Sequence, residues 1–189
     1  MQGRTHKKEY RAGDISCVLF TPDLELQELY QNQNNINSVG IDIYIPEDIE
    51  IPASVRGFEL DLEITCQIRE YYQQHHPYGD VYIPTPGIRK LSYYLYPKSN
   101  IAKIPIRMSI APQIIEGQSC KTIIVYVDNL SSETISISKG DCLFQLCLPS
   151  LHRPDDLAIV KSLEELIHLE PKFSDPRNRD WRSIRGSRD

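Results

Sequence analysis

The sequence predicts an all-β domain, a sandwich or barrel of short strands with one short helix near each end. Three observations lead to this prediction. Aliphatic residues alternate with polar ones through 39–45 and again through 58–64, which is the period of a strand with one buried face. Turn residues separate the predicted strands, as at 139–141. Helical spacing of apolar residues occurs only at 24–30 and 157–169.

The first elements follow a polar, basic N-terminus. Residues 1–13 are predicted to form an arm in front of a domain that spans residues 14–170. Residues 14–20 are predicted to be the first strand. Residues 21–23, Thr-Pro-Asp, can cap a helix, because proline is tolerated in a first helical turn. The apolar face of that helix would carry Leu24, Leu26, Leu29 and Tyr30.

The middle of the chain has the period of strands. Residues 39–45 are predicted to form a strand, and Ile49 and Ile51 resume it after a break at Pro46. Residues 58–64 alternate apolar side chains with Glu, Asp and Glu, so we expect acids outside and aliphatics inside throughout these strands. Later strands are predicted at 123–127, 134–137 and 143–148.

Residues 69–94 stand out because tyrosines and prolines crowd together there. They are Tyr71, Tyr72, Pro77, Tyr78, Tyr82, Pro84, Pro86, Tyr93 and Tyr94. We interpret this stretch as an insertion, either a long ordered loop or an extra hairpin. Tyrosine covers a large area and keeps a polar tip, which suits an interface. Packing of the insertion on its own domain is the alternative, and the sequence favours neither.

The C-terminal part contains a predicted helix and then a basic arm. Apolar spacing predicts a short amphipathic helix over 157–169, with Ser162 as a cap and Pro171 as its end. Residues 171–189 contain five arginines and few apolar residues, which is typical of a flexible arm. Such an arm would bind an anionic target, or it is a solvated tail without a role.

Composition excludes several classes of protein. The 189 residues favour one domain, and the 21 basic and 26 acidic residues give a net charge of −5. This balance argues against a general nucleic-acid coat, so we expect no nucleic-acid partner. No apolar run approaches the roughly 20 residues of a membrane span. The N-terminus lacks the apolar core of a secretory signal, so we expect neither a membrane partner nor secretion.

The cysteines are Cys17, Cys66, Cys120, Cys142 and Cys147. Their number is odd, and no Cys-x-x-Cys pair or zinc-finger spacing is present. We therefore predict reduced thiols that serve as small core hydrophobes rather than as nucleophiles. Reduced thiols are typical of a cytoplasmic or nuclear protein.

Two segments carry residues suited to phosphate chemistry. At 97–102 a strand runs into a turn with a lysine, a serine and an asparagine, and such a turn projects N–H groups and a cation toward one spot. At 109–120 an apolar strand ends in Glu116, and Gly117 then permits a turn before a returning strand. A hairpin of this kind can present backbone groups to a flat base while the acid orients a water. A solvent-exposed glutamate beside a turn is the alternative.

Taken in order, these segments resemble the trimeric dUTPase family. Its first motif, Gly-x-Asp, matches Gly40 and Asp42, and its fourth, Gly-Asp-x-x-x-Gln-Leu, matches 140–146. Between them lie 98–102, which resembles the second motif, and 114–116, which resembles the third. The resemblance runs from about residue 38 to the end of the chain, and the order makes it more specific than any single motif.

The resemblance implies a jelly-roll-like β-barrel and a homotrimer with three active sites at subunit junctions. The reaction would convert dUTP to dUMP and pyrophosphate with Mg²⁺, which supplies dUMP and limits uracil in DNA. By analogy, Asp42 would hold the metal through water and Glu116 would be the catalytic acid group. The hairpin from Gln113 to Ser119 would hold the deoxyuridine. The phosphate-binding and arm residues would be Lys98, Ser99, Asn100, Gln145, Arg177, Trp181, Arg182 and Ser183.

The sequence departs from the family at several of these positions. Lys98 stands for an arginine, Glu116 for an aspartate, Ser119 for a tyrosine and Gln113 for a glycine. A catalytically degenerate module that binds or assembles without hydrolysis is therefore an alternative function. A dCTP deaminase is a further one, although that family has a catalytic glutamate about where Tyr126 stands here.

Overall fold

The computed structural model describes residues 9–33, 39–78, 81–168 and 172–173. Strands dominate it, which confirms the predicted all-β class. The strands are β1 (Glu9–Tyr10), β2 (Ile15–Phe20), β3 (Ile41–Tyr44), β4 (Ile49–Ile51), β5 (Phe58–Asp61), β6 (Thr65–Tyr78), β7 (Val81–Leu91), β8 (Tyr93–Pro97), β9 (Ile106–Met108), β10 (Gln113–Ile115), β11 (Ile124–Asn129), β12 (Ile135–Ile137), β13 (Cys142–Cys147), β14 (Asp156–Ile159) and β15 (Lys172–Phe173). The helices are α1 (Leu24–Gln31), α2 (Leu163–His168) and a 3₁₀ helix (Ser99–Lys103).

The strands of this described part form five sheets that pack around one main core. Two sheets have four strands, in the orders β10-β8-β13-β3 and β14-β2-β6-β7. A third has the order β5-β11-β9, and two small sheets pair β12 with β4 and β1 with β15. Aliphatic side chains from the three larger sheets share the same buried cluster. Strands of separate sheets thus wrap one core, as a jelly-roll-like domain requires, but within the described ranges they do not close into a barrel.

The N-terminal elements follow the prediction closely. Asp23 caps α1, because its Oδ1 accepts hydrogen bonds from the backbone N–H groups of Glu25 at 2.8 Å and Leu26 at 3.1 Å. Leu26 and Tyr30 are buried in the core. Leu24 and Leu29 are exposed, so the predicted apolar face of this helix was too wide.

The tyrosine-rich stretch is a hairpin, which was one of its two predicted forms. Residues 68–78 of β6 pair antiparallel with β7, and residues 65–70 pair antiparallel with β2. We call β6 and β7 together the tyrosine-rich hairpin. Tyr71 lies beside the start of β2, and its ring stacks on Tyr10 with centroids 4.0 Å apart. The base of the hairpin is therefore integrated into the domain.

The predicted helix over 157–169 is wrong in its first half. Residues 156–159 form β14, which pairs parallel with β2. The helix α2 begins only at Leu163, and Ser162 caps it by accepting a hydrogen bond from the Glu165 N–H at 3.1 Å. Apolar spacing alone could not separate a strand followed by a short helix from one longer helix.

The two ends of the described chain meet. Strand β1 pairs parallel with β15, so Glu9 and Tyr10 lie beside Lys172 and Phe173. Cys17, Cys66 and Cys147 are buried, as predicted for core residues, whereas Cys120 and Cys142 are partly exposed. Within the described ranges, no helix is long and apolar enough to cross a membrane.

Candidate functional site

One four-stranded sheet brings three distant motifs into a single row. In the β10-β8-β13-β3 sheet, Gln145 of β13 pairs with Asp42 of β3 on one side and with Tyr96 of β8 on the other. Directly paired residues of neighbouring strands share a face, so Asp42, Gln145 and Tyr96 lie side by side. Lys98 follows two residues after Tyr96. The sheet therefore places the first, second and fourth motifs together.

Asp42 and Lys98 form an ion pair at this row. Lys98 Nζ lies 2.6 Å from Asp42 Oδ1, and Asp42 is 6% exposed. The prediction that acids of these strands face solvent was thus wrong for Asp42. Burial by itself lowers the pKa of Lys98, but the hydrogen bond to Asp42 and the nearby Cys142 raise that pKa more. Lys98 is therefore a charged cation at neutral pH.

The turn predicted at 97–102 is a 3₁₀ helix that begins directly after Lys98. Its start is fixed because the Lys98 N–H donates to the Leu143 carbonyl at 2.8 Å and Asn100 Nδ2 donates to the Cys142 carbonyl at 2.8 Å. Asn100 Oδ1 is buried and has no hydrogen-bond partner among the described residues. Ser99 is exposed. The turn thus offers a hydroxyl and an unused amide oxygen beside Lys98.

Gly40 is required by close packing at the start of β3. A Cβ atom at this position would collide with the Leu146 carbonyl oxygen and lie 2.8 Å from Cys147 Sγ. Only a residue without a side chain lets the backbone pass β13 so closely. This approach sets the register that puts Asp42 opposite Gln145. The glycine of the Gly-x-Asp pattern therefore has a structural reason.

The segment that carries Glu116 differs from the predicted hairpin. Strand β10 pairs with β8, whereas the following strand β11 pairs with β5 and β9. Residues 116–119, which we call the Glu116 turn, begin the connection between the two sheets, and the Ser119 N–H donates to the Glu116 carbonyl at 2.9 Å. Gln113 Nε2 donates to the Ile124 carbonyl at 2.9 Å, which replaces strand pairing at this point. Glu116 itself is exposed.

Within one chain, Glu116 does not join the Asp42 row. The N–H of Gly117 donates to Ser92 Oγ at 3.2 Å, so the Glu116 turn lies at the start of β8. Lys98 lies beyond the other end of β8, and at about 3.3 Å per residue the strand separates the two by about 20 Å. The structure thus brings Asp42, Lys98, Ser99, Asn100 and Gln145 together and places Glu116 and Ser119 apart from them. Gln113, on the neighbouring strand β10, lies between the two groups, opposite Leu95 of β8. Arg177, Trp181, Arg182 and Ser183 lie outside the described residues.

The oxygen ligands at this row suit a magnesium ion that arrives with a polyphosphate. Mg²⁺ prefers one or two carboxylates, with phosphate oxygens and waters as its other ligands. Asp42 supplies one carboxylate, and Asn100 Oδ1 is an oxygen without a partner. No group of three His, Cys, Asp or Glu residues able to hold a metal occurs within the described residues. Asp42 and Asn100 could therefore hold a metal ion only together with ligand oxygens and waters.

Sequence reasoning missed two residues beside this site. Tyr96 lies next to Gln145 on the same face and forms an edge contact with Tyr94 at 5.8 Å between centroids. The alternation of residues 94, 96 and 98 along β8 is a signal that could have indicated this. Gln33, whose Nε2 donates to the Asp42 carbonyl at 2.6 Å, comes from the end of α1 and had no detectable signal.

Comparisons with known proteins add little to this geometry. No protein-family model matches the chain, and no curated protein matches it. Among solved structures, the native EIAV dUTPase is similar to 61% of this chain and 78% of its own chain, with 21% identity and a TM-score of 0.43. A likeness at this level carries no argument about activity, so the function has to be argued from the chain's own residues.

Proposed function

We propose that the protein hydrolyses dUTP to dUMP and pyrophosphate as a homotrimer with Mg²⁺. The observation that supports this most is the row in which Asp42 pairs with Gln145 and binds Lys98 at 2.6 Å. These residues come from three separate motifs, and their order along the chain resembles that of the trimeric dUTPase family. An accidental set of motifs would have no reason to meet on one sheet.

Each residue of the row has a role that its chemistry supports. Lys98 is a charged ammonium, and Ser99 and Asn100 carry a hydroxyl and an amide at the start of a helical turn. These groups and Gln145 would bind the phosphates and take up charge that develops on them. Arg177, Trp181, Arg182 and Ser183 would cover the bound triphosphate and exclude bulk water.

Mg²⁺, when bound, would supply positive charge on the triphosphate and hold its oxygens in one geometry. Asp42 is the residue that would hold it, through water. The Asp42 carboxylate would then exchange its contact with Lys98 for the metal's water shell, and Lys98 would turn to a phosphate oxygen. The Lys98 ammonium and the Asp42 carboxylate are bound to one another. A phosphate group that binds Lys98 and a cation near Asp42 can therefore replace this one contact together.

Glu116 would be supplied to this site by a neighbouring copy of the chain. It is exposed, and about 20 Å of strand separates its turn from Lys98 in its own chain. Its role would be to orient a water and accept its proton for attack on phosphorus. Gln113 and Ser119, on the same segment, would lie against the deoxyuridine. The requirement for a second copy supports an oligomer, and the family resemblance of the motifs is what makes us propose a trimer.

A nucleotide panel tests the proposal. The purified full chain with Mg²⁺ should release pyrophosphate from dUTP faster than from UTP, dCTP or dTTP. Glu116→Gln should lower turnover by roughly 10²- to 10⁴-fold, the usual worth of a general base. Glu133→Gln, at another exposed glutamate, is the matched control and should change nothing. Binding of dUTP without hydrolysis by the wild type would instead indicate the degenerate binding module.

A further inference from the structure

The tyrosine-rich hairpin contacts the Glu116 turn at its base. The Gly117 N–H donates to Ser92 Oγ at 3.2 Å, immediately after β7. A Cβ atom on Gly117 would lie 2.7 Å from the Leu91 carbonyl carbon and oxygen and 2.8 Å from the Lys90 carbonyl oxygen. The backbone of the turn therefore lies directly on the backbone at the end of β7. No larger residue fits at 117 unless the turn moves.

A second contact comes from β6. Gln67 is fully buried, and its Nε2 donates to Cys120 Sγ, just after the Glu116 turn, at 3.1 Å. Its Oε1 accepts a hydrogen bond from Arg69 at 2.8 Å. Both ends of the Gln67 amide are therefore used, and Arg69 fixes which end faces Cys120. A buried amide held at both ends has one orientation.

Arg69 extends this set of contacts to α2. It is 2% exposed, and the nitrogen that binds Gln67 also donates to the Leu166 carbonyl in α2. Guanidinium groups keep their charge and interact well with carbonyl groups near helix C-termini. A continuous set of hydrogen bonds thus runs from α2 through Arg69 and Gln67 to Cys120.

We propose that Gln67 is a positioning residue for Glu116 and that the base of the tyrosine-rich hairpin is the platform on which the Glu116 turn is held. This inference rests on the proposed function, because a fixed position of Glu116 matters only if Glu116 acts in the reaction. A turn fixed at Gly117 and at Cys120 keeps its glutamate in one place. A displacement of about 1 Å at a reacting group can cost roughly 100-fold in rate.

Hydrogen–deuterium exchange tests the contact without any assay of turnover. Gln67→Leu removes the donor to Cys120, so the backbone amides of the Glu116 turn should exchange about fivefold faster, as expected for one lost hydrogen bond. Peptide mass spectrometry measures the exchange of the fragment that contains residues 116–120. Glu70→Gln is the matched control, because it alters the Glu70–Arg89 pair on the same hairpin. An unchanged rate in Gln67→Leu would overturn the proposal.

Substitutions of Cys120 test the consequence for turnover. Serine can accept the Gln67 hydrogen bond, whereas valine of similar size cannot. Cys120→Ser should stay within about twofold of wild-type kcat, and Cys120→Val should lose about tenfold in kcat with KM unchanged. Equal kcat for both variants would overturn the proposal. If the wild type hydrolyses no dUTP, the proposed function fails, and the exchange rates alone decide whether Gln67 holds the turn.

Discussion

Asp42 and Lys98 neutralise each other across 2.6 Å in the most enclosed part of the site. A cation that binds near Asp42 therefore competes with Lys98, and an anion that binds Lys98 competes with Asp42. A ligand that brings both a cation and an anion offers each of the two side chains a new partner, so neither charge is left unpaired. We therefore expect metal and polyphosphate to bind together and each to bind weakly alone.

Asp42→Asn tests this expectation. The change keeps the shape and removes the carboxylate charge, so Mg²⁺ should no longer improve nucleotide binding. We expect the affinity for dUTP in the presence of Mg²⁺ to fall by about tenfold or more, since the metal loses its protein ligand. Calorimetric titration with and without Mg²⁺ measures this effect. Asp61→Asn, at an exposed acid on β5, is the control, and an equal loss there would refute a specific role for Asp42.

Two buried tyrosines make the fold sensitive to alkaline pH. Burial raises the pKa of Tyr93 and of Tyr30 well above the ordinary value near 10. A raised pKa in the folded state means that their stabilisation is fully present below about pH 10 and is lost as pH rises through the folded-state values. Denaturant midpoints should be flat near neutral pH and fall above about pH 10. Tyr30→Phe should reduce this fall, and an equal fall in that variant would contradict the assignment.

At the scale of elements, local patterns were sufficient where one face of a segment meets one core. Residues 58–64 alternate as predicted, with Leu60, Leu62 and Ile64 buried. The pattern at 157–169 failed because β14 owes its strand conformation to β2, which lies far away in the sequence. The pairing of β10 with β8 rather than with β11 was also hidden, since the 3₁₀ helix and β9 separate β8 from β10 in the sequence. Partners distant in sequence decide such cases.

Tyr10 shows how a segment predicted to be a loose arm is tied to the domain. It is 7% exposed, its ring stacks on Tyr71, and its hydroxyl donates to Asp156 Oδ2 at 2.9 Å. Tyr10→Ala should therefore lower the free energy of unfolding by about 3 kcal/mol, as for other buried aromatics. Tyr10→Phe should lose about 1 kcal/mol, the net worth of one hydrogen bond. Denaturant unfolding measures both, and a smaller loss for alanine than for phenylalanine would contradict this packing.

At the scale of the whole molecule, the sequence proposes a set of candidate site residues but does not show how they are divided in space. The motif order identified Asp42, Lys98 and Gln145, and the register of β3, β13 and β8 places them together. It also identified Glu116, which β8 holds about 20 Å away. Three contacts depend on tertiary packing, which no local pattern encodes. They are the Asp42–Lys98 ion pair, the hydrogen bond from Gln33 to the Asp42 carbonyl and the hydrogen bond from Gln67 to Cys120.

The separation leads to a prediction about mixed assemblies. If each site takes Lys98 from one copy and Glu116 from another, Lys98→Met and Glu116→Gln should each abolish turnover as pure proteins. Refolded together in equal amounts, they should regain about a quarter of the wild-type rate, because in a symmetric ring a random pair of neighbours supplies both intact residues about one time in four. Pyrophosphate release from dUTP measures this. The mixture is compared with each variant refolded alone and with a mixture of Lys98→Met and Asp42→Asn, which damage the same half-site and cannot complement one another. A mixture with no regained activity would mean that Glu116 and Lys98 do not meet between copies of the chain.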